Sequence, residues 1–252
     1  MIRYRWVGWS CLVWIGFGQA GTAQTATEIL QQVDGYRRVA ESFTVTIRIS
    51  DYEFATLKEQ ADFVGFFSGT EKSVVGCIRG KNKGMNVLMK GDKMWVSLPR
   101  SRRALRITPM QRLMGQASNG DVAKVAYSAD YSGEIVTRQA DEIRLRLRAK
   151  RPGATYQQVM LYVDPSDYRV RKAEFFLLSG KHLKTAYYLD MMVVDGRRVV
   201  QRIKIVDHVR EGAYTTMEYG DVRPAEVPEK YFNVMYLPKL ELAWQSADRE
   251  SP

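Results

Sequence analysis

Cysteine and histidine are almost missing from this sequence, with two of each in 252 residues. Cys11 falls in an N-terminal apolar run, so the rest of the chain keeps only Cys77, and a single thiol closes no internal bridge. Cys77 stands in the apolar stretch VVGCI and reads as a small buried side chain rather than a nucleophile. His182 and His208 occupy strand-like segments with no cysteine or second histidine at ligand spacing, so neither a metal nor a cofactor is expected. No GxSxG elbow occurs, and GKNKG at 80–84 lacks phosphate-loop spacing and reads as a hairpin turn. Asp190, Asp195 and Asp207 read as turn or sheet-exterior carboxylates rather than an acid–base pair. Without a coherent nucleophile, base and metal set, the chain is not expected to be an enzyme. It also lacks long apolar runs, strand–helix alternation, low-complexity tracts and internal repeats.

What is present begins with MIRYRWVGWSCLVWIGFGQAGTAQ. Arg3 and Arg5 precede an apolar run from Trp6 to Phe17 that is too short to span a bilayer, and Gly21-Thr22-Ala23 supplies a small-x-small site. That layout predicts a cleavable secretory leader over residues 1–23, with a membrane-anchored N-terminus as the alternative, an exported product, and one domain over 24–252. About 230 residues are ample for one large core, which must carry stability without disulfides.

The formal charge is +10, or +8 without Arg3 and Arg5. An exported basic protein can meet anionic head groups or an acidic partner, whereas nucleic acid is not an expected partner. A solvated basic face is the plainer reading of the same excess.

Local patterning predicts a mainly β fold. One helix is expected over 27–40, capped by Thr27, with Ile29, Leu30, Val33 and Tyr36 on one stripe. Beyond it, apolar residues alternate with polar ones. Val45, Ile47 and Ile49 are one set; Ile143, Leu145 and Leu147 are another; Ile203 and Ile205 a third. Such alternation belongs to antiparallel strands with one wet face. About ten strands are expected between residues 42 and 222, separated by turn signals such as Gly91-Asp92, Asp164-Pro165 and Asp195-Gly196. A sheet this wide must curl. From Pro109 to Ala126 the alternation stops, and Met110, Leu113, Met114, Val122 and Val125 fit one or two short helices broken around 115–120. Those helices would cover the concave apolar face of the sheet.

Two further features are concentrated here. Arg100, Arg102, Arg103 and Arg106 fall within seven residues; the plainer reading is the solvated face of a hairpin, and the other is a grip on phosphate or an acidic surface. Met85, Met89, Met94, Met110 and Met114 crowd the same third of the chain; methionine lines surfaces that must adapt, although it fills cores as well.

The block from Gly91 to Tyr131 resembles the outer-membrane lipoprotein-sorting protein family, in its LolA-like branch. The resemblance rests on Gly91, Asp92, Met94, Trp95, Leu98, Pro99, Arg102, Arg103, Arg106, Ile107, Gln111, Arg112, Met114 and Gly115, with a looser match at Pro228, Phe232 and Leu237. It implies an α+β fold dominated by an antiparallel curved sheet, an incomplete β-barrel covered by helices, whose apolar interior holds acyl chains in transit. The family's type carrier is shorter, and an arginine early in its sheet latches the lid. Arg79 lies near the comparable strand, but its flanks, CIRGKNKG, do not match, so no latch is assigned.

On this likeness the chain is expected to be a periplasmic carrier for a lipid or lipoprotein acyl chain, working as a monomer with an inner- or outer-membrane transport partner. Its lining would come from Ile29, Leu30 and Val33, from Val45, Ile47, Ile49 and Trp95, and from Met110, Leu113, Met114, Val122 and Val125. Arg100, Arg102, Arg103 and Arg106 would contact head groups or the partner. The alternative is a periplasmic adaptor or sensor of an envelope transporter, with the same fold and a filled interior.

Overall fold

A computed structural model of the chain describes residues 24–240 apart from residue 125. The expected leader and Val125 therefore lie outside the described residues. The chain enters through helix α1 (Ala26–Gly35), whose cap is Thr25 rather than the expected Thr27. The Thr25 hydroxyl accepts from the Glu28 amide, and the Glu28 carboxylate accepts in return from the Thr25 amide, so both ends of the first turn are satisfied. The helix stops at Gly35, five residues short of expectation.

Six strands follow in hairpin order: β1 (Ser42–Glu53), β2 (Thr56–Ser68), β3 (Lys72–Arg79), β4 (Asn86–Lys90), β5 (Lys93–Ser97) and β6 (Leu105–Ile107). An insertion then carries a small hairpin, β7 (Arg112–Met114) and β8 (Ala117–Ser118), and two short helices, α2 (Asn119–Ala123) and α3 (Tyr127–Asp130). Seven more strands complete the sheet: β9 (Tyr131–Arg138), β10 (Ile143–Ala149), β11 (Gln158–Val163), β12 (Val170–Phe176), β13 (His182–Val194), β14 (Arg197–Asp207) and β15 (Ala213–Pro224).

Among the described residues, thirteen strands form one antiparallel sheet, ordered β6-β5-β4-β3-β2-β1-β15-β14-β13-β12-β11-β10-β9. Two meanders are thus sewn together where the first strand meets the last, Ile47 opposite Tyr219 and Ile49 opposite Met217. β6 and β9 stay unpaired at the edges, so the barrel is incomplete. Strand twist accumulates over this width and brings the two arms back together. Arg151, in the β10–β11 turn, reaches Asp92 in the β4–β5 turn at 3.0 Å, with Asp130 at 3.2 Å on its other side.

Alternation sorts the side chains as the sequence predicts. Val45, Ile47 and Ile49 are buried on the inner face of β1, and Ile143, Leu145 and Leu147 on that of β10. The inner face, α1 and the insertion share one core. A second, smaller core lies on the outer face, where Phe232, Leu237 and Leu240 of the C-terminal strap pack on Val74 and Leu88.

Candidate functional site

The insertion roofs the inner face, but its first part is not helical. Met110, Leu113 and Met114 have helix spacing, yet Pro109 and Met110 lie in a turn and Leu113 and Met114 in β7. Gly115 decides this: its φ of +54° turns the chain back into β8, and the next amide, Gln116 N, donates to Thr215 Oγ1 at 2.7 Å. α2 is capped reciprocally by Ser118 and Asp121. The Asn119 and Gly120 amides donate to the Gln111 and Pro109 carbonyls at 2.9 and 2.8 Å, tying the helix to the turn before the hairpin.

The roof is held by polar hooks. From α1, the Asp34 carboxylate accepts from the Tyr127 and Ser128 amides at 2.5 and 2.9 Å, closing the start of α3. One turn on, Arg37 Nη2 donates to the Asp121 carbonyl at 3.0 Å. From β13, Lys184 Nζ donates to Asp121 Oδ2 at 2.5 Å and to the Gln116 carbonyl at 2.8 Å. Tyr156 gives its hydroxyl proton to Asp121 Oδ1 at 2.9 Å, and Ser73 of β3 donates to the Ala123 carbonyl at 2.8 Å. Lys124 pairs with Asp130 at 2.8 Å within the roof itself.

Electrostatics follow from burial and pairing. Burial pushes the Asp121 carboxyl up, and Lys184 together with the Ser118 bonds more than reverses it, leaving the acid below its ordinary value. Burial raises Asp34, against the pull of the two amides it accepts. Tyr156 is raised by burial and by Asp121, so it remains a donor at neutral pH.

Beneath the roof the space is small. A cavity of about 50 Å³ lies between Tyr127 of α3 and Tyr156 of the β10–β11 turn on one side and Tyr188, Ile203, Ile205 and Met217 of the sheet on the other. A second, of about 30 Å³, lies beside Val45 and Phe67. A water occupies about 30 Å³ and benzene needs a cavity of roughly 150 Å³, so neither space holds an acyl chain in this conformation. Outside, an open groove of about 590 Å³ runs between residues 106–111 and 152–157. Thr155 lines both the groove and the larger cavity. Gly120 stands against it so closely that a Cβ there would lie 2.0 Å from Thr155 Oγ1.

The expected lining residues separate into groups. Ile29, Leu30, Val33, Val45, Ile47, Ile49, Met114 and Val122 converge in the inner core. Leu113 is half-buried at its edge. Two are not brought there: Met110 is 45% exposed, and Trp95 points to the outer face, where it packs with the C-terminal strap. None of the expected residues lines the 50 Å³ cavity; Val45 lines the smaller one. Arg100, Arg102, Arg103 and Arg106 share the exposed β5–β6 hairpin, Arg106 lying 4.8 Å over the Trp95 ring. Arg79 pairs with Asp62 at 2.5 Å and is 63% exposed, away from the roof. The residues that grip the roof were missed. A signal existed for two of them: Asp34 interrupts the buried stripe of α1 beside Val33, and Lys184 shares the inward parity of Ala186 and Tyr188.

Cys77 is buried, and burial pushes its thiol up to about 11. Among the described residues no group of three or more histidine, cysteine or carboxylate side chains is arranged to hold a metal.

A family model described as "Uncharacterized protein" matches residues 69–239. No curated protein matches the sequence. A solved LolA superfamily protein from Nitrosomonas europaea is 31% identical; the match covers 85% of this chain and 100% of that one, with a TM-score of 0.78. A DUF1329 family protein from Desulfovibrio piger is 17% identical over 84% of this chain and 97% of its own, with a TM-score of 0.70. A domain assigned to outer membrane lipoprotein sorting, from Vibrio parahaemolyticus, is 16% identical over 84% and 97%, with a TM-score of 0.71.

Proposed function

The chain belongs to the LolA superfamily, and from that footing we propose that it is a carrier that takes a lipid or lipoprotein acyl chain beneath the roof formed by residues 109–130. It works in the periplasm after loss of residues 1–23, as a monomer, moving cargo between membrane partners without chemistry or cofactor. The observation that carries this reading is the manner of closure: an apolar floor roofed by a segment whose hooks are polar. Hooks of this kind exchange protein partners for water when they open, and the apolar side chains that leave the floor with them, Met114, Ala117, Val122 and Ala123, are left for the cargo to cover.

The magnitudes are comparable. An acyl chain of about 16 carbons gains roughly 12 kcal/mol on leaving water, at about 0.8 per methylene. The bonds made by Asp34, Arg37 and Lys184 involve charged groups, each contributing about 1.5–3 kcal/mol. Four or five of them offset most of the cargo's gain. Because the acyl chain also covers the apolar surface that Met114, Val122 and their neighbours give up, the roof stays shut when empty and yields when cargo arrives. Arg37 is the latch in this scheme. Ile47, Ile49, Met114 and Val122 become lining when the roof lifts, and the groove at Thr155 is the route in.

The small interior favours a second reading, an adaptor of an envelope transporter whose filled half-barrel carries nothing. Native extraction separates the two. Protein purified without detergent, and its Arg37→Met variant, are analysed for bound lipid by mass spectrometry. The carrier reading expects acyl lipid in the first and altered occupancy in the second. Clean protein in both cases leaves the adaptor.

A further inference from the structure

Between Asp92 and Asp121 the chain has no acidic residue and six basic ones, Lys93, Arg100, Arg102, Arg103, Arg106 and Arg112. The structure gathers four of these on the hairpin joining β5 to β6. Elsewhere on the sheet, surface arginines mostly have carboxylate partners: Arg144 with Glu142, Arg171 with Asp164, Arg202 with Asp190, Arg210 with Glu53. Among the described residues, Arg100, Arg102 and Arg103 have no ion pair, and Arg106 has only the Trp95 ring. The hairpin is also greasy. Leu98 and Leu105 flank the arginines and are 47% and 55% exposed, with Pro99 exposed between them. Arg100, at φ +64°, holds the left-handed backbone that turns the tip.

Charges on an edge strand have an ordinary use, to block pairing with another sheet. That use does not call for leucines in water. Unpaired guanidiniums beside exposed aliphatic side chains fit a surface that is anionic at its face and apolar just below it. We infer that the 98–106 hairpin is a docking surface for an anionic phospholipid bilayer, with Leu98 and Leu105 entering the acyl boundary and the four arginines on the head-group phosphates. This holds whatever the interior carries.

The test uses an environment-sensitive fluorophore on Leu105→Cys, with Leu178→Cys as reference, both with Cys11→Ser and Cys77→Ser. Leu178 is 75% exposed in the β12–β13 turn, far from the arginines in sequence. Such a probe reports its own hairpin and not the apolar N-terminus. Vesicles of phosphatidylglycerol with phosphatidylcholine should blue-shift the probe at 105 and not at 178, and phosphatidylcholine alone should shift neither. Each basic residue strengthens partitioning roughly fivefold near an anionic surface, so replacing all four arginines by serine should weaken binding at least a hundredfold at low salt. Melting temperature checks that this variant, altered only at exposed side chains, remains folded. Equal shifts at both positions, no shift at 105, or undiminished binding of the serine variant would overturn the inference. A shift at 105 with soluble polyglutamate but not with vesicles would also overturn it, in favour of an acidic protein partner.

Discussion

Lys184 and Asp121 meet at 2.5 Å beneath the roof, their side chains 11% and 10% exposed, and join the centre of the sheet to the first turn of α2. Sixty-three residues separate them in sequence. Removing one partner strands the other, which costs about 3–5 kcal/mol for a buried pair. Lys184→Met should therefore lower the urea midpoint strongly, and adding Asp121→Asn should recover most of the loss. An additive double variant would show that the two residues do not act as a pair.

Acid should loosen the same pair. The Asp121 carboxyl is held below its ordinary value of 3.8, so the stability it contributes is complete above that value and disappears as pH falls through its lower folded value. Stability profiles of the wild type and Asp121→Asn should converge in strong acid, part as pH rises, and run parallel above the ordinary value of 3.8.

The bond from Arg37 to the Asp121 carbonyl has a local readout. Without the Arg37 bond to the Asp121 carbonyl, the roof opens more often. Hydrogen exchange at the Asn119, Gly120 and Lys124 amides should quicken roughly tenfold to a hundredfold in Arg37→Met, the equivalent of about 1.5–3 kcal/mol. Exchange in β10 should not change. Uniform acceleration throughout would mean general destabilisation.

The close approach of Gly120 to Thr155 is tested sterically. Gly120→Ala forces a methyl into the Thr155 hydroxyl, and overpacking of this kind costs about 1–3 kcal/mol. Pairing it with Thr155→Ser should leave a residual cost, whereas Thr155→Gly should remove most of it. Thermal melts of the four proteins decide the matter.

The only two histidines of the chain lie together on the face opposite Lys184. Their rings are 4.0 Å apart, and both bond to Thr185 Oγ1, at 3.1 and 2.8 Å. Burial and the neighbouring His208 lower the pKa of His182 below its ordinary 6.5. The folded state thus binds this proton less readily than the unfolded chain. Stability should be full above pH 6.5 and decline as pH falls below it. His182→Gln should flatten that decline below pH 6.5. An identical slope in the variant would remove the histidine pair as its cause.

Met110, Leu113 and Met114 show where sequence reading reaches its limit. Their spacing satisfies a helix, yet a positive φ at Gly115 and a bond to a threonine a hundred residues away make a hairpin. Trp95 sits in KMWVS, where apolar neighbours on both sides hide the parity that faces it outward. Asp34 and Lys184 were visible as polar interruptions of apolar stripes, but nothing local says what they grip.

By itself, the sequence determined most of the long strands, the apolar faces of β1 and β10, the stripe of α1 and the arginine-rich turn. Each of these is written in contiguous residues, because the direction of a side chain repeats every two or 3.6 positions. The tertiary structure alone decided that β1 lies against β15, that Arg151 closes one arm on the other, and that Arg37, Lys184 and Tyr156 converge on Asp121. Those meetings depend on register and accumulated twist across thirteen strands, and no local period carries that information.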